Sequence, residues 1–128
     1  MTRYQKPAHT ILYVDDDLAN LRVFERIFLN YADYKIETSS SATQALALLR
    51  QNAPDLVMLD LNLPDMCAYV LAEEINSTKI PIVAVSGQRI NPDHLDSFSG
   101  YVAKPYRVDE LKQLIHTTLN DPVGESSF

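Results

Sequence analysis

Asp55-Leu56-Val57-Met58-Leu59-Asp60 sets the fold class. Leu56 to Leu59 is a continuous apolar run with neither helical nor alternating polarity. Such a run suits a strand covered on both faces, as in a parallel sheet flanked by helices. Asn52-Ala53-Pro54 before it stops a helix, and the run itself ends on an acid. Two other runs share this plan. Ile11-Leu12-Tyr13-Val14 leads into Asp15-Asp16-Asp17, and Tyr101-Val102-Ala103 leads into Lys104-Pro105.

Helical patterns lie between the runs. Leu21, Phe24, Ile27, Phe28 and Tyr31 share one helix face, with Arg22, Glu25 and Arg26 opposite, which predicts an amphipathic helix of roughly four turns. Asp17 fits its N-cap. Tyr34–Ser39 is a weaker strand with Ile36 and Thr38 as β-formers. Ser41-Ala42-Thr43-Gln44 fits a capping box and opens a second helix through Leu49. A third helix is predicted over Ala68 to Ile75 and a fourth strand over Ile80–Val85. A short helix around Asp93–Phe98, a fifth strand over Gly100–Ala103 and a last helix from Val108 to Leu119 complete the chain.

Strands alternating with helices imply a parallel sheet with helices on both faces. A doubly wound, flavodoxin-like sheet of order 2-1-3-4-5 fits five strands. In that order strands one and three are neighbours, and ligands bind at the carboxyl ends near the switch of strand order. Asp15, Asp16, Asp60 and Lys104 are therefore expected to converge on one spot.

The bounds agree. A chain of 128 residues suits one domain. Its 17 acidic against 11 basic residues give a net charge of −6, which argues against direct nucleic-acid binding. The single cysteine, Cys67, excludes an internal disulfide and suits a reducing cytosol. It reads as a passive loop thiol, since no base or resolving thiol is near it in sequence. No apolar run approaches the ~18 residues of a membrane span, and the N-terminus lacks a signal-peptide core. A soluble cytoplasmic protein, with no direct membrane contact, is the expectation. His9, His94 and His116 have no metal-ligand spacing.

Val14-Asp15-Asp16-Asp17, Leu59-Asp60-Leu61-Asn62-Leu63-Pro64, Ile82-Val83-Ala84-Val85-Ser86-Gly87 and Tyr101-Val102-Ala103-Lys104-Pro105-Tyr106 together resemble the receiver domain of two-component response regulators. The resemblance spans roughly residues 10–120, leaving 1–9 and 121–128 as tails. It implies a phosphorylatable signalling switch that modifies itself and turns over no separate substrate. Asp60 would accept the phosphoryl group. Asp16 and Asp60 would ligate Mg²⁺ directly, Asp15 mainly through water, and Asn62 through its backbone carbonyl. Ser86 would hydrogen-bond the phosphoryl group and Lys104 would pair with its oxygens. Ser86 and Tyr101 would form the switch, and Asn62 and Gln88 would flank the path of attacking water. The donor would be a phosphohistidine on a sensor histidine kinase or a histidine phosphotransfer protein. The receiver of the signal would be an effector protein or a tethered domain, with a second copy of the chain as a further candidate partner.

The chemistry is coherent without the resemblance. Clustered carboxylates repel unless a cation is present, Mg²⁺ takes oxygen ligands, and a carboxylate can attack phosphorus to form an acyl phosphate. Two departures stand out. Cys67-Ala68 replaces the family's Asp-Gly, where glycine would allow angles that alanine resists, so the loop there is expected to differ in shape. The stretch from Ser86 to Lys104 is about four residues shorter than this connection needs, so the fourth helix is expected to be reduced. That helix belongs to the family's usual output and dimer face.

Two rival readings follow from the same residues. A haloacid-dehalogenase-like phosphohydrolase also uses an aspartate nucleophile after a strand, but it carries a second acid two residues on, where this chain has Asn62. A pseudo-receiver would signal through protein contacts alone, and the Cys67-Ala68 loop is the feature that favours it.

Overall fold

The computed structural model describes residues 9–120; the tail 121–128 and residues 1–8 of the expected arm lie outside them. Five parallel strands form one sheet in the order β2-β1-β3-β4-β5. They are β1 (His9–Val14), β2 (Tyr34–Ser39), β3 (Leu56–Asp60), β4 (Ile82–Ser86) and β5 (Gly100–Ala103). The helices are α1 (Leu18–Ile27), α2 (Ala42–Gln51), α3 (Ala68–Asn76) and α4 (Val108–Asn120), with a 3₁₀ segment over Pro92–Ser97. This is the doubly wound order read from the sequence, with the fourth helix reduced to that segment. No described helix is long and apolar enough to cross a membrane.

Strand alternation divides the core in two. Ile11, Tyr13, Leu56, Met58, Val83, Val85 and Val102 face α1 and α4 and pack with Leu21, Phe24, Phe28, Leu111 and Ile115. Leu12, Val14, Val57, Leu59 and Ile82 face the other way and pack with Ala45, Leu71 and Ile75 of α2 and α3. Every residue of β3 and β4 is buried, which is why those stretches carry continuous apolar runs. Each large side chain buried this way contributes about 1.5–3 kcal/mol relative to exposure. A Cβ on Gly100 would stand 2.9 Å from Leu114 Cδ1, so glycine lets α4 lie close on β5.

The element ends differ from the expectation at three places. α1 is ten residues long and ends at Ile27, shorter than the four turns expected. Phe28 leaves the helical angles and its amide turns back to Arg26 O. Tyr31 then stacks on Tyr34 at 6.2 Å while Phe28 meets both rings edge-on. The apolar period ran on because these aromatics pack over the start of β2, not because the helix continues. β4 begins after Pro81, whose carbonyl accepts from Val57 but which has no amide to give the ladder. At α2, Ser41 Oγ accepts from Gln44 N at 3.1 Å as a cap should. Gln44 Oε1 reaches Ser40 N at 3.0 Å, one residue short of a reciprocal box.

The start of α2 has a second cap from far along the chain. Asp65 Oδ1 accepts from Ala42 N at 3.0 Å, and Oδ2 accepts from Thr43 N at 3.1 Å and Thr43 Oγ1 at 3.0 Å. The backbone donors at Ala42 and Thr43 hold the Asp65 carboxyl below its ordinary value. A folded pKa below the unfolded one means that this support exists above pH 3.8, the ordinary value, and fades as pH falls through the lower folded value. Asp65→Ala is expected to speed hydrogen exchange at the Ala42 and Thr43 amides on the order of tenfold at neutral pH. The two rates should converge with wild type on acidification.

Downstream of Asp65, Cys67 is the N-cap residue of α3 with φ −60° and ψ 124°, and its side chain makes no cap bond. Among the described non-glycine residues the only positive φ is at Lys79. Ala68 therefore enters the helix without strain. The 3₁₀ segment is capped by Asn91, whose Oδ1 accepts from Asp93 N at 3.0 Å. It is held to α3 by His94, stacked on Tyr69 at 4.2 Å.

Candidate functional site

Strand parity aims three side chains at one place. Asp15 lies two residues beyond Tyr13, Asp60 two beyond Met58, and Lys104 two beyond Val102. All three reference residues face the α1/α4 side. The ladder also persists through each position: Asp15 N donates to Ser39 O at 3.0 Å, Leu61 N to Val85 O at 3.1 Å, and Lys104 N to Ser86 O at 2.8 Å. Side chains two apart on a strand share a face, so β1, β3 and β5 deliver their terminal polar groups to the same edge of the sheet. That edge is the carboxyl end, beside the β1–β3 pair where strand order switches.

The result is a compact charged cluster. Lys104 Nζ lies 2.7 Å from Asp60 Oδ2 and 3.1 Å from Asp15 Oδ2. One carboxylate oxygen from each of Asp15, Asp16 and Asp60 falls within 4.8 Å of the others. Asp15 is 0% exposed, Asp60 5%, and Asp16 is open to solvent. Asp60 Oδ1 accepts from Asn62 N at 2.9 Å.

The two buried acids are not electrically equivalent. Burial alone would raise Asp15, but donors from Tyr13 and the Asp17 amide, with Lys104, outweigh it and hold its pKa below the ordinary value. Burial raises Asp60, and the negative charge of Asp15 adds to it. Lys104 and the Asn62 amide offset only part of this, so the Asp60 pKa lies above the ordinary value. Burial opposes the Lys104 charge, yet its bonds to Asp60 and Asp15 win and its pKa is raised. A site with three acids, one cation and one acid above its normal range has unmet demand for positive charge. An all-oxygen donor set fits a hard divalent ion such as Mg²⁺.

The other expected site residues lie around this cluster. Ser86 is 7% exposed at the end of β4, and its Oγ accepts from Gln88 N at 2.9 Å. Tyr101 is 40% exposed, and its hydroxyl donates to Gln88 O at 3.0 Å and is 3.4 Å from Ser86 O. Asn62 and Gln88 expose their side chains on the loops after β3 and β4. Asp17 caps α1 by accepting from Ala19 N at 2.9 Å.

Two residues escaped the sequence reading. Tyr13 OH donates to Asp15 Oδ2 at 2.7 Å, and Asn20 Nδ2 donates to the same oxygen at 3.1 Å. The Tyr13 signal was present, because a tyrosine two residues before an acid on a strand shares its face. The Asn20 signal was not, since its reach depends on how α1 folds back over β1.

The family model described as the response regulator receiver domain matches residues 11–116. The chain is 33% identical over 110 residues to the transcriptional regulatory protein KdpE of Staphylococcus aureus, covering 82% of this chain and 47% of that protein. It is 32% identical over 112 residues to the two-component response regulator ARR12 of Arabidopsis thaliana, covering 81% and 18%. The chain thus spans less than half the length of these relatives. A putative response regulator from Chloroflexus aurantiacus superposes with a TM-score of 0.78 at 28% identity, covering 90% of this chain and 99% of that one. A CheY-like receiver domain protein from Methanospirillum hungatei superposes with a TM-score of 0.80 at 27% identity, covering 88% and 94%. With its sheet order, its acids at the ends of β1 and β3 and a family match that runs from β1 into α4, the chain belongs to the response regulator receiver domains, the signalling modules of two-component systems.

Proposed function

We propose that Asp60 accepts a phosphoryl group from a phosphohistidine on a sensor histidine kinase or a histidine phosphotransfer protein, in the cytoplasm. The observation that carries this reading is Lys104 Nζ bridging Asp60 and Asp15 beside Asp16. In the step, an Asp60 carboxylate oxygen forms a bond to phosphorus as the phosphorus–nitrogen bond breaks. The leaving imidazole keeps the bonding electron pair and takes up a proton. Positioning and charge neutralisation dominate such transfers. Asp15, Asp16 and Asp60, with the Asn62 carbonyl, would hold Mg²⁺. When bound, the ion neutralises charge on the phosphoryl oxygens.

Lys104 supplies a second positive charge, and Ser86 a neutral hydroxyl donor on the neighbouring strand. Phosphorylation adds about −1.5 to −2 charges. That charge draws the Ser86 hydroxyl toward it and away from Gln88 N, and Tyr101 then leaves Gln88 O for the space released. The altered surface of β4, the 3₁₀ segment and β5 is the output, read by an effector protein or tethered domain or by a second copy of the chain. Asn62 and Gln88 are assigned to the lifetime of the phosphoryl group.

Acetyl phosphate with Mg²⁺ is expected to label the wild type and to leave Asp60→Asn unlabelled. Equal labelling of both would sink the assignment. No labelling of either, together with no binding of a beryllofluoride mimic, would favour a pseudo-receiver. The mimic should also move the Ser86, Gln88 and Tyr101 signals in an NMR spectrum.

A further inference from the structure

Asp15 is the most heavily hydrogen-bonded acid of the cluster. Its Oδ2 takes Tyr13 OH at 2.7 Å, Asn20 Nδ2 at 3.1 Å and Lys104 Nζ at 3.1 Å, and its Oδ1 takes Asp17 N at 2.9 Å. A carboxylate has about four acceptor positions, two on each oxygen, so three donors crowd Oδ2 while Oδ1 keeps one position open toward the site. The donors differ in how firmly they are held. Lys104 divides its ammonium group between Asp15 and Asp60, and in the proposed step it turns toward the incoming phosphoryl oxygens. Asn20 is partly exposed in the first turn of α1. Tyr13 is different. The residue is 1% exposed near the carboxyl end of an inner strand, Phe24 packs on its ring at 4.7 Å, and β1 is paired on both sides.

The hydroxyl is a polar atom in an otherwise apolar core, and Asp15 Oδ2 is the partner it finds there. Phenylalanine would fill the same space. The oxygen therefore serves Asp15 rather than the packing.

We propose that Tyr13 is a positioning residue for the metal-binding carboxylates, fixing the Asp15 carboxylate from the core side so that it keeps one orientation while Lys104 changes partners. The inference rests on the phosphoacceptor reading above. It concerns divalent-ion affinity and not the chemical step, since Tyr13 reaches the site only through Asp15. A hydrogen bond that orients a ligand from behind tunes metal affinity, and loss of such a partner costs on the order of tenfold.

The test is Tyr13→Phe, which keeps the ring and removes one oxygen. Mg²⁺ affinity is read from the amide signals of Asp16 and Asn62 in an NMR titration, which report the folded molecules alone. The Mg²⁺ dependence of acetyl phosphate labelling is measured beside it. The Mg²⁺ Kd and the half-saturating Mg²⁺ for labelling are each expected to rise on the order of tenfold. The labelling rate at saturating Mg²⁺ should stay within about twofold of wild type, as expected when binding and not the transfer step is touched. A rise of about threefold or more, less than one charged hydrogen bond is worth, still supports the proposal. A smaller rise, tighter binding, or a saturating rate that falls while the Kd holds would each overturn it. Absence of Mg²⁺ binding in the wild type itself would overturn the phosphoacceptor reading, and this inference with it.

Discussion

Lys104→Met is expected to cost about 3 kcal/mol of folding stability at neutral pH, seen as a lower urea midpoint with an unchanged slope. Lys104 is the one cation bonded to both buried acids among the described residues. Its side chain is 26% exposed, whereas those of Asp60 and Asp15 are 7% and 0%. Removing one partner of a buried pair leaves its counter-charge unpaired, at a cost of about 3–5 kcal/mol. The partial exposure of Lys104 puts the expectation at the low end.

The pH dependence has a definite sign. In the wild type Asp60 already has a folded pKa above its unfolded value of 3.8. Its contribution is complete below pH 3.8 and is lost as pH rises through the folded value. Lys104 opposes that rise, so its removal extends the loss to higher pH. The deficit of Lys104→Met should therefore shrink as pH falls through the carboxylate range. The Lys104 contribution in the wild type is complete below pH 10.5 and is lost only as pH climbs through its raised value. A deficit independent of pH would mean that the methionine disturbs packing rather than charge.

The neighbouring acids are expected to respond in opposite directions. Asp15→Ala removes the acceptor of Tyr13 OH, Asn20 Nδ2, Asp17 N and one Lys104 bond. A buried donor left without a partner costs about 1–3 kcal/mol, and Tyr13 is 1% exposed. The expected total is about 3 kcal/mol. Because the Asp15 pKa is lowered on folding, this support exists above pH 3.8 and is lost as pH falls through the folded value. Asp60→Asn instead removes a charge that burial and Asp15 both disfavour. A gain on the order of 1 kcal/mol is expected, roughly 4 °C in melting temperature for a domain of this size. Two losses of similar size would show that the pair is not divided electrically as described.

Much of this was legible in the sequence, for a physical reason. A strand buried on both faces must be apolar throughout, so β1, β3 and β4 show themselves as runs, and the acids and lysine at their ends mark where burial stops. The alternation with helices implies a parallel sheet, the doubly wound order 2-1-3-4-5 fits its five strands, and the convergence of Asp15, Asp16, Asp60 and Lys104 follows from that order. Helix ends were less legible. Phe28 and Tyr31 keep the helical period while serving a turn, because an aromatic satisfies either role. The long-range cap at Asp65 and the Asn20 bond depend on loop geometry that no local pattern encodes. Tyr13 is readable from its place two residues before Asp15, but within an apolar run its hydroxyl adds nothing to the hydrophobic pattern.

The most direct measurement is the mass of the intact chain, followed by mapping of the modified residue, after incubation with acetyl phosphate in Mg²⁺ and in excess chelator. A single added phosphoryl group on Asp60, present with Mg²⁺ and lost with chelator, is the predicted result. Modification at another residue, or none at Asp60 while Mg²⁺ saturates the site, would contradict the account.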